Sequence, residues 1–243
     1  MLKPSGGPRP TEAELLQLLG KHPVLRRLPE AELVGLLRRA ATQDYGERTR
    51  IFDQGDSGRT VMAVVDGYVK MATSTEAGRE VILEVAGPGA VFGELAVLNG
   101  WTRAAEAEAL SACRLLVIDG AEFVRTLLRQ PDAMLEVLRI ISERLRAVTE
   151  LVIDGVDLPA PARLAKALFR LAALHSHPVP GGLRIDLMLS QRELGGMTGL
   201  TRESINKHLS GWRDSGWVQL DERAIVLCDL SALRGLLRPS SWD

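Results

Sequence analysis

Gly93-Glu94-Leu95-Ala96, followed after four residues by Trp101-Thr102-Arg103-Ala104-Ala105, places one acid and one base around a small-residue turn in a strand-rich region. An arginine among mostly apolar strands is costly to bury unless an anion pairs with it, and its planar fork matches a phosphate bidentately. A short helix opening near Gly93 adds backbone N–H donors and a positive dipole end for the same anion. Glu94, nine residues before Arg103, is then placed to accept from a ribose hydroxyl. The segment therefore reads as chemistry for a phosphate joined to a sugar. The plain alternative is an Arg–Glu surface pair in a hairpin loop, and the length of the patterned run weighs against it.

Outward from this stretch, residues 43–118 carry short apolar runs at 61–65, 68–72, 81–85 and 114–118, separated by Gly55, Gly58, Gly67, Gly78, Gly87 and Gly89. Strands at such spacing predict a barrel or jelly roll, sized for one small ligand. Before it, residues 11–41 have helical periodicity, with Leu15, Leu18, Leu19 and then Leu33, Leu36, Leu37 on one face. After Pro131 a helical pattern runs to about residue 153. Its Leu138, Ile141, Leu145, Val148 and Val152 recur at steps of 3, 4, 3 and 4, the seam of a two-stranded coiled coil. A helix packed only on its own barrel needs a broader stripe, so the seam predicts a homodimer. Gly155, Asp157 and Pro159 mark the expected hinge.

The last part opens with an expected helix at 160–174, a loop at 175–182 and a strand at 183–187. Ser190-Gln191-Arg192-Glu193 is a capping box that starts a short helix, Gly199 provides a turn, and Thr201 caps a second helix. In that second helix Ile205, Leu209 and Trp212 share one face and leave Arg202, Glu203, Asn206 and Lys207 outside. Two short helices about a glycine turn form a helix-turn-helix, whose second helix is sized for a major groove. Arginine, carboxylate, amide and lysine side chains near its start are the mixture that base edges require, against the plainer reading of solvated charges on a helical hairpin. Ser190 and Thr201 add hydroxyls beside them. Residues 217–220 and 224–227, joined through Asp221-Glu222-Arg223, read as a wing hairpin.

Composition excludes more than it assigns. The 243 residues are 46% hydrophobic with a mean hydropathy of +0.04 and a net charge of −1, so no overall basic field announces nucleic acid. From Asp157 onward there are 11 Lys and Arg against 9 Asp and Glu, a weak asymmetry in the direction DNA requires. No apolar run is long enough for a membrane span, and residues 1–10 lack an apolar leader core, so a cytoplasmic location is expected. Two cysteines, Cys113 and Cys228, exclude a Cys-rich cluster, and His22, His175, His177 and His208 show no metal-ligand spacing. No Walker loop or Gly-x-Ser-x-Gly follows Asp157, so no catalytic residues and no metal are expected.

Residues 92–105 closely resemble the phosphate-binding cassette of cyclic-nucleotide-binding domains. By that resemblance Arg103 holds the cyclic phosphate, Glu94 the ribose 2′-hydroxyl, and Gly93, Leu95 and Ala96 present backbone donors. Residues 189–218 resemble the winged helix-turn-helix of the CRP/FNR regulators, with Thr201-Arg202-Glu203 as the opening of the recognition helix. Both motifs in this order, with a dimer helix between, resemble that bacterial family from about Leu15 to Leu230, in its nucleotide-binding, CRP-like branch.

The resemblance implies an α+β fold with a nucleotide-binding β-roll at 1–130, a dimerisation helix at 131–156 and a winged helix-turn-helix at 157–243. It implies a transcription regulator, not an enzyme, with double-stranded DNA, a cyclic nucleotide and a second copy of the chain as partners and no resident cofactor. RNA polymerase is a further partner the resemblance allows, with no contact surface specified. Val148 and Thr149 occupy the positions of a hydroxyl pair that contacts the base in CRP, and only Thr149 keeps the hydroxyl. Ala104 stands where cassettes selective for cyclic GMP often carry Thr or Ser, which leans towards cyclic AMP. Lys207 replaces a frequent Arg and weakens bidentate guanine recognition. A family member with another effector, or none, remains the alternative.

Overall fold

Thr11 opens the first helix reciprocally: its Oγ1 accepts from Glu14 N at 3.3 Å, while Glu14 Oε2 accepts from Thr11 N at 2.7 Å. This computed structural model describes residues 10–187, 189–221 and 224–237. The expectation for residues 1–9 and the tip of the wing at Glu222 and Arg223 lie outside them. The described chain divides into two compact units, residues 10–74 with 82–145 and residues 75–81 with 146–237.

In the first unit the leucine periodicity of 11–41 resolves into α1 (Glu12–Leu19), a 3-10 turn at Leu25–Arg27 and α2 (Glu30–Arg39). Pro23 and Pro29 lack the N–H that a continuous helix needs. The strands are β1 (Ala41–Tyr45), β2 (Arg50–Phe52), β3 (Thr60–Asp66), β4 (Val69–Ser74), β5 (Glu80–Ala86) and β6 (Val91–Phe92). Then come α3 (Glu94–Asn99), β7 (Glu106–Ala109), β8 (Cys113–Asp119), α4 (Gly120–Leu128) and α5 (Pro131–Asp157). One sheet has the order β1-β8-β3-β6 and the other β2-β7-β4-β5.

β3 is buried on both faces, which explains why its sequence is an unbroken apolar run rather than an alternation. Met62 and Val64 meet Val69, Met71, Ala107 and Ala109 of the other sheet, closing the roll. Val61 and Ala63, on the opposite face, pack with Leu19, Leu36, Phe123 and Val137 beneath the helices. Burial of these side chains drives the unit together at about 25 cal/mol per Å².

α5 shows two faces. Ala133 and Val137 are buried and Ile140 and Ile141 pack on the helical side of the roll, so Ile141 leaves the expected seam in part. Leu138, Leu145, Val148 and Val152 are exposed. The helix continues through Gly155, which tolerates helical geometry at a modest cost, and through Asp157, and of the three expected hinge positions only Pro159 lies in the break, beside Leu158.

The second unit contains α6 (Ala160–His175), β9 (Ser176–Val179), β10 (Gly182–Ile185), α7 (Gln191–Thr198) and α8 (Arg202–Asp214), followed by β11 (Val218–Asp221), β12 (Ala224–Leu227) and α9 (Leu230–Gly235). Its sheet has the order β11-β12-β10-β9. The expected loop at 175–182 is therefore an edge strand plus a turn. Pro178 pairs opposite Leu183 there, and a proline is tolerated at a sheet edge because one side needs no donor. The wing expected at 217–227 is the β11–β12 pair, with Val218 opposite Leu227.

Candidate functional site

Gly93 ends β6 in the left-handed conformation, with φ +83° and ψ 2°, and serves as N-cap of α3 without any side-chain cap. A Cβ there would lie 2.6 Å from Arg103 Nη1, so the position requires glycine for its backbone angle and for the close approach of the guanidinium. Arg103 is 5% exposed. Its Nη1 donates to Gly93 O at 2.8 Å, and its Nη2 donates to Thr60 O at 2.8 Å and Thr60 Oγ1 at 3.0 Å. The guanidinium carbon lies 4.3 Å from the centroid of the Phe52 ring.

All of these partners are neutral, and Nε is buried without one. Among the described residues no carboxylate lies within ion-pairing distance of Arg103. Burial pulls its pKa down, with Asp56 and Glu94 acting at longer range in the opposite sense. A desolvated cation of this kind is a receptive site for an anion, because a phosphate there gains most of its attraction in a low dielectric.

Glu94 does not pair with Arg103. Its Oε1 accepts from Nη1 of Arg144 on α5, and Arg144 Nε lies 3.1 Å from Glu84 Oε2 on β5. Glu94 is 7% exposed, and its Oε2 is a buried acceptor with no partner among the described residues. Burial works to lower the Arg144 pKa, but the two carboxylates outweigh it and the guanidinium is held above its ordinary range. Glu84 is pushed up, chiefly by burial and further by Glu94, with Arg144 opposing. Arg144 and Glu84 are the site residues that sequence reasoning missed. Arg144 lies 50 positions beyond Glu94, and no local spacing ties them.

The remaining expected residues fall as follows. Leu95 and Ala96 form the first turn of α3, while Ala104 lies exposed just after Arg103. Val148 and Thr149 belong to the second unit and are exposed on α5, one turn beyond Arg144.

In the second unit Ser190 N donates to Glu193 Oε2 at 2.6 Å and Glu193 N donates to Ser190 Oγ at 3.2 Å, so the capping box is complete. Gly199 ends α7 at φ +69°, a backbone that favours glycine, and Thr201 Oγ1 accepts from Ser204 N at 3.2 Å to start α8. Ile205, Leu209 and Trp212 are buried, and Arg202, Glu203, Asn206 and Lys207 are exposed. Gln191, also missed from sequence, touches two of that set. Its Nε2 donates to Asn206 Oδ1 at 2.9 Å, and its Oε1 accepts from Arg202 Nε at 3.4 Å.

Residues 42–130 match the model of the cyclic nucleotide-binding domain, and residues 162–236 match that of the Crp-like helix-turn-helix domain. The chain belongs to the CRP/FNR family of transcription regulators. Among curated CRP/FNR relatives, the CRP-like cAMP-activated global transcriptional regulator of Mycobacterium tuberculosis is 25% identical over 217 residues, 89% of this chain and 97% of that protein. The cAMP-activated global transcriptional regulator CRP of Escherichia coli O157:H7 is 26% identical over 185 residues, 75% of this chain and 87% of that protein. The solved structure of FixK2 from Bradyrhizobium japonicum shares the fold, with a TM-score of 0.74 at 22% identity over 83% of this chain and 99% of that one. Among the described residues no helix is long and apolar enough to cross a membrane, and no group of His, Cys, Asp and Glu is arranged to hold a metal ion.

Proposed function

We propose that this CRP/FNR regulator is a cytoplasmic homodimer that binds cyclic AMP in preference to cyclic GMP and then binds a palindromic operator. The observation that carries the reading is the buried Arg103 guanidinium, bonded to Gly93 and Thr60 oxygens and lacking a carboxylate partner among the described residues. Arg103 takes the cyclic phosphate, with backbone donors from residues 93–96. Glu94 takes the ribose 2′-hydroxyl through the oxygen that has no partner. Ala104 brings no hydroxyl to the base, and the curated relatives are named for activation by cAMP.

The exposed Leu138, Leu145, Val148 and Val152 supply the dimer seam, with Thr149 contributing the base contact from α5. The two copies of α8 then enter successive major grooves about 34 Å apart, where Arg202, Glu203, Asn206 and Lys207 read base edges and Ser190 and Thr201 meet the phosphates. To turn a mostly inactive population mostly active, the nucleotide must favour the DNA-competent state by about 5.5 kcal/mol.

One observation favours a second reading, a regulator that works without a nucleotide. Arg144 already pairs with Glu94 through Oε1, so the charge of that carboxylate is answered by the chain's own side chain without a nucleotide.

Titration with each cyclic nucleotide, followed by heat and by retention of an operator fragment, separates the two. The proposal expects heat from cyclic AMP, less from cyclic GMP, and a large gain in retention. Operator affinity unchanged at saturating nucleotide contradicts it.

A further inference from the structure

His22 lies between α1 and the 3-10 turn, far in sequence from every residue assigned to ligand. Its backbone is fixed on both sides: its N–H donates to Leu19 O at 3.0 Å, and its carbonyl accepts from Arg26 N at 3.0 Å. Leu19 and Leu25 beside it are fully buried. Its Nδ1 is a buried polar atom without a partner among the described residues, as is Glu94 Oε2.

Both residues line one cavity of about 20 Å³, together with Arg144 and the apolar Val24, Val91, Phe123, Val137 and Ile140. That volume accommodates a single water, which needs two to four polar partners to stay. His22, Glu94 and Arg144 are the three polar residues in the lining.

We propose that His22 is a positioning residue for the ribose end of the site, sharing with Glu94 and Arg144 one ordered water that fixes the Glu94 carboxylate. The inference rests on the nucleotide reading of Glu94. An imidazole serves here because its nitrogen can donate to or accept from a water while its ring carbons are compatible with an apolar lining. Charge on the ring is disfavoured: burial and the neighbouring Arg144 lower its pKa to about 4, and Glu136 opposes only in part. The ring is therefore neutral at physiological pH, and the water joins the imidazole to the Glu94–Arg144 pair without adding a second cation. The N-terminal helical segment thereby becomes part of the ligand site, although it contributes no group that touches the nucleotide.

The test compares cyclic AMP with 2′-deoxy-cyclic AMP on the full chain by calorimetry, in the wild type and in His22→Leu, His22→Ala and His22→Asn. The Asn side chain returns a polar group near the place of Nδ1. The wild type should bind the ribo form at least about tenfold more tightly, the worth of a hydrogen bond to a carboxylate. In either apolar variant, cyclic AMP affinity should fall about five- to tenfold while 2′-deoxy-cyclic AMP affinity holds, so that the ratio collapses towards one; Asn should restore it. A merely structural role lowers both affinities together. A wild-type ratio retained in the apolar variant that folds overturns the inference, as does an Asn variant that behaves like Leu. A wild type that binds neither compound, or both equally, instead overturns the nucleotide reading of Glu94.

Discussion

The proposed nucleotide site of the roll and the proposed recognition face of α8 handle charge in opposite ways. In the roll, Arg103 is 5% exposed and Glu94 7%, and each is held by groups distant in the chain. On α8, Arg202, Glu203, Asn206 and Lys207 stand in solvent and are positioned by a helix that Thr201 starts and that Ile205, Leu209 and Trp212 anchor. A buried charge must be answered by the fold or by a ligand, and removing its partner leaves an uncompensated ion. An exposed charge is free to wait for DNA, and the fold hardly registers its loss. Mutations of the paired Glu84, Arg144 and Glu94 in the first region should therefore alter both stability and binding, whereas those in the second, and those of Arg103, which no carboxylate answers, should alter chiefly binding.

The largest break in this contrast comes from Arg144→Met. It leaves Glu84 and Glu94 facing one another without the cation between them. Because Arg144 is partly exposed, the expected destabilisation is about 2–3 kcal/mol at pH 7, below the full cost of opening a buried pair, as read by urea denaturation. The sign with pH is fixed by Glu84, whose carboxyl is already pushed up. Removing Arg144 raises it further, so the deficit should shrink as the pH falls and Glu84 takes up a proton. An equal deficit at pH 7 and pH 5 would show that the carboxylates are not in contact.

Next in size, Arg202→Ala should weaken operator binding by about 1–3 kcal/mol and relax selection at one base pair, leaving the thermal midpoint within a degree or two. A fall in the midpoint matching the loss in binding would erase the difference between the two regions.

The smallest effect, read over the single pH unit from 6.5 to 5.5, is an acid limb from His22. The unfolded chain binds a proton at the ordinary imidazole value of 6.5, while the folded chain resists until about 4. Stability is therefore intact above pH 6.5 and is lost as the pH falls towards 4, at no more than about 1.4 kcal/mol per pH unit. His22→Asn should flatten that limb in a pH series of urea midpoints.

The same contrast decides what was legible in the sequence. The capping box at Ser190–Glu193, the glycine at 199 and the apolar face of α8 are set by residues three to four apart, so the helix-turn-helix could be read locally and the structure keeps it. The cyclic nucleotide-binding domain was legible for a similar reason, because Gly93, Glu94 and Arg103, which suggested it, lie within one short segment. Arg144, Glu84 and His22 were not, since α5, β5 and the N-terminal turn meet at Glu94 only after the roll has closed. β9 was missed because its sequence, Ser176-His177-Pro178-Val179, is too polar and too exposed to signal a strand, and pairing with β10 makes it one. α4 lacked a long periodic run, although Asp119 caps it by accepting from Glu122 N at 2.9 Å.

The central claim is that Arg103 is kept buried for a cyclic phosphate, and calorimetry of Arg103→Ala beside the wild type tests it most directly. Loss of nearly all binding heat, at least about 100-fold in affinity, with a thermal midpoint close to wild type in the absence of nucleotide, is the predicted result. Nucleotide affinity within about threefold of wild type would contradict the account, because the guanidinium would then serve the roll alone.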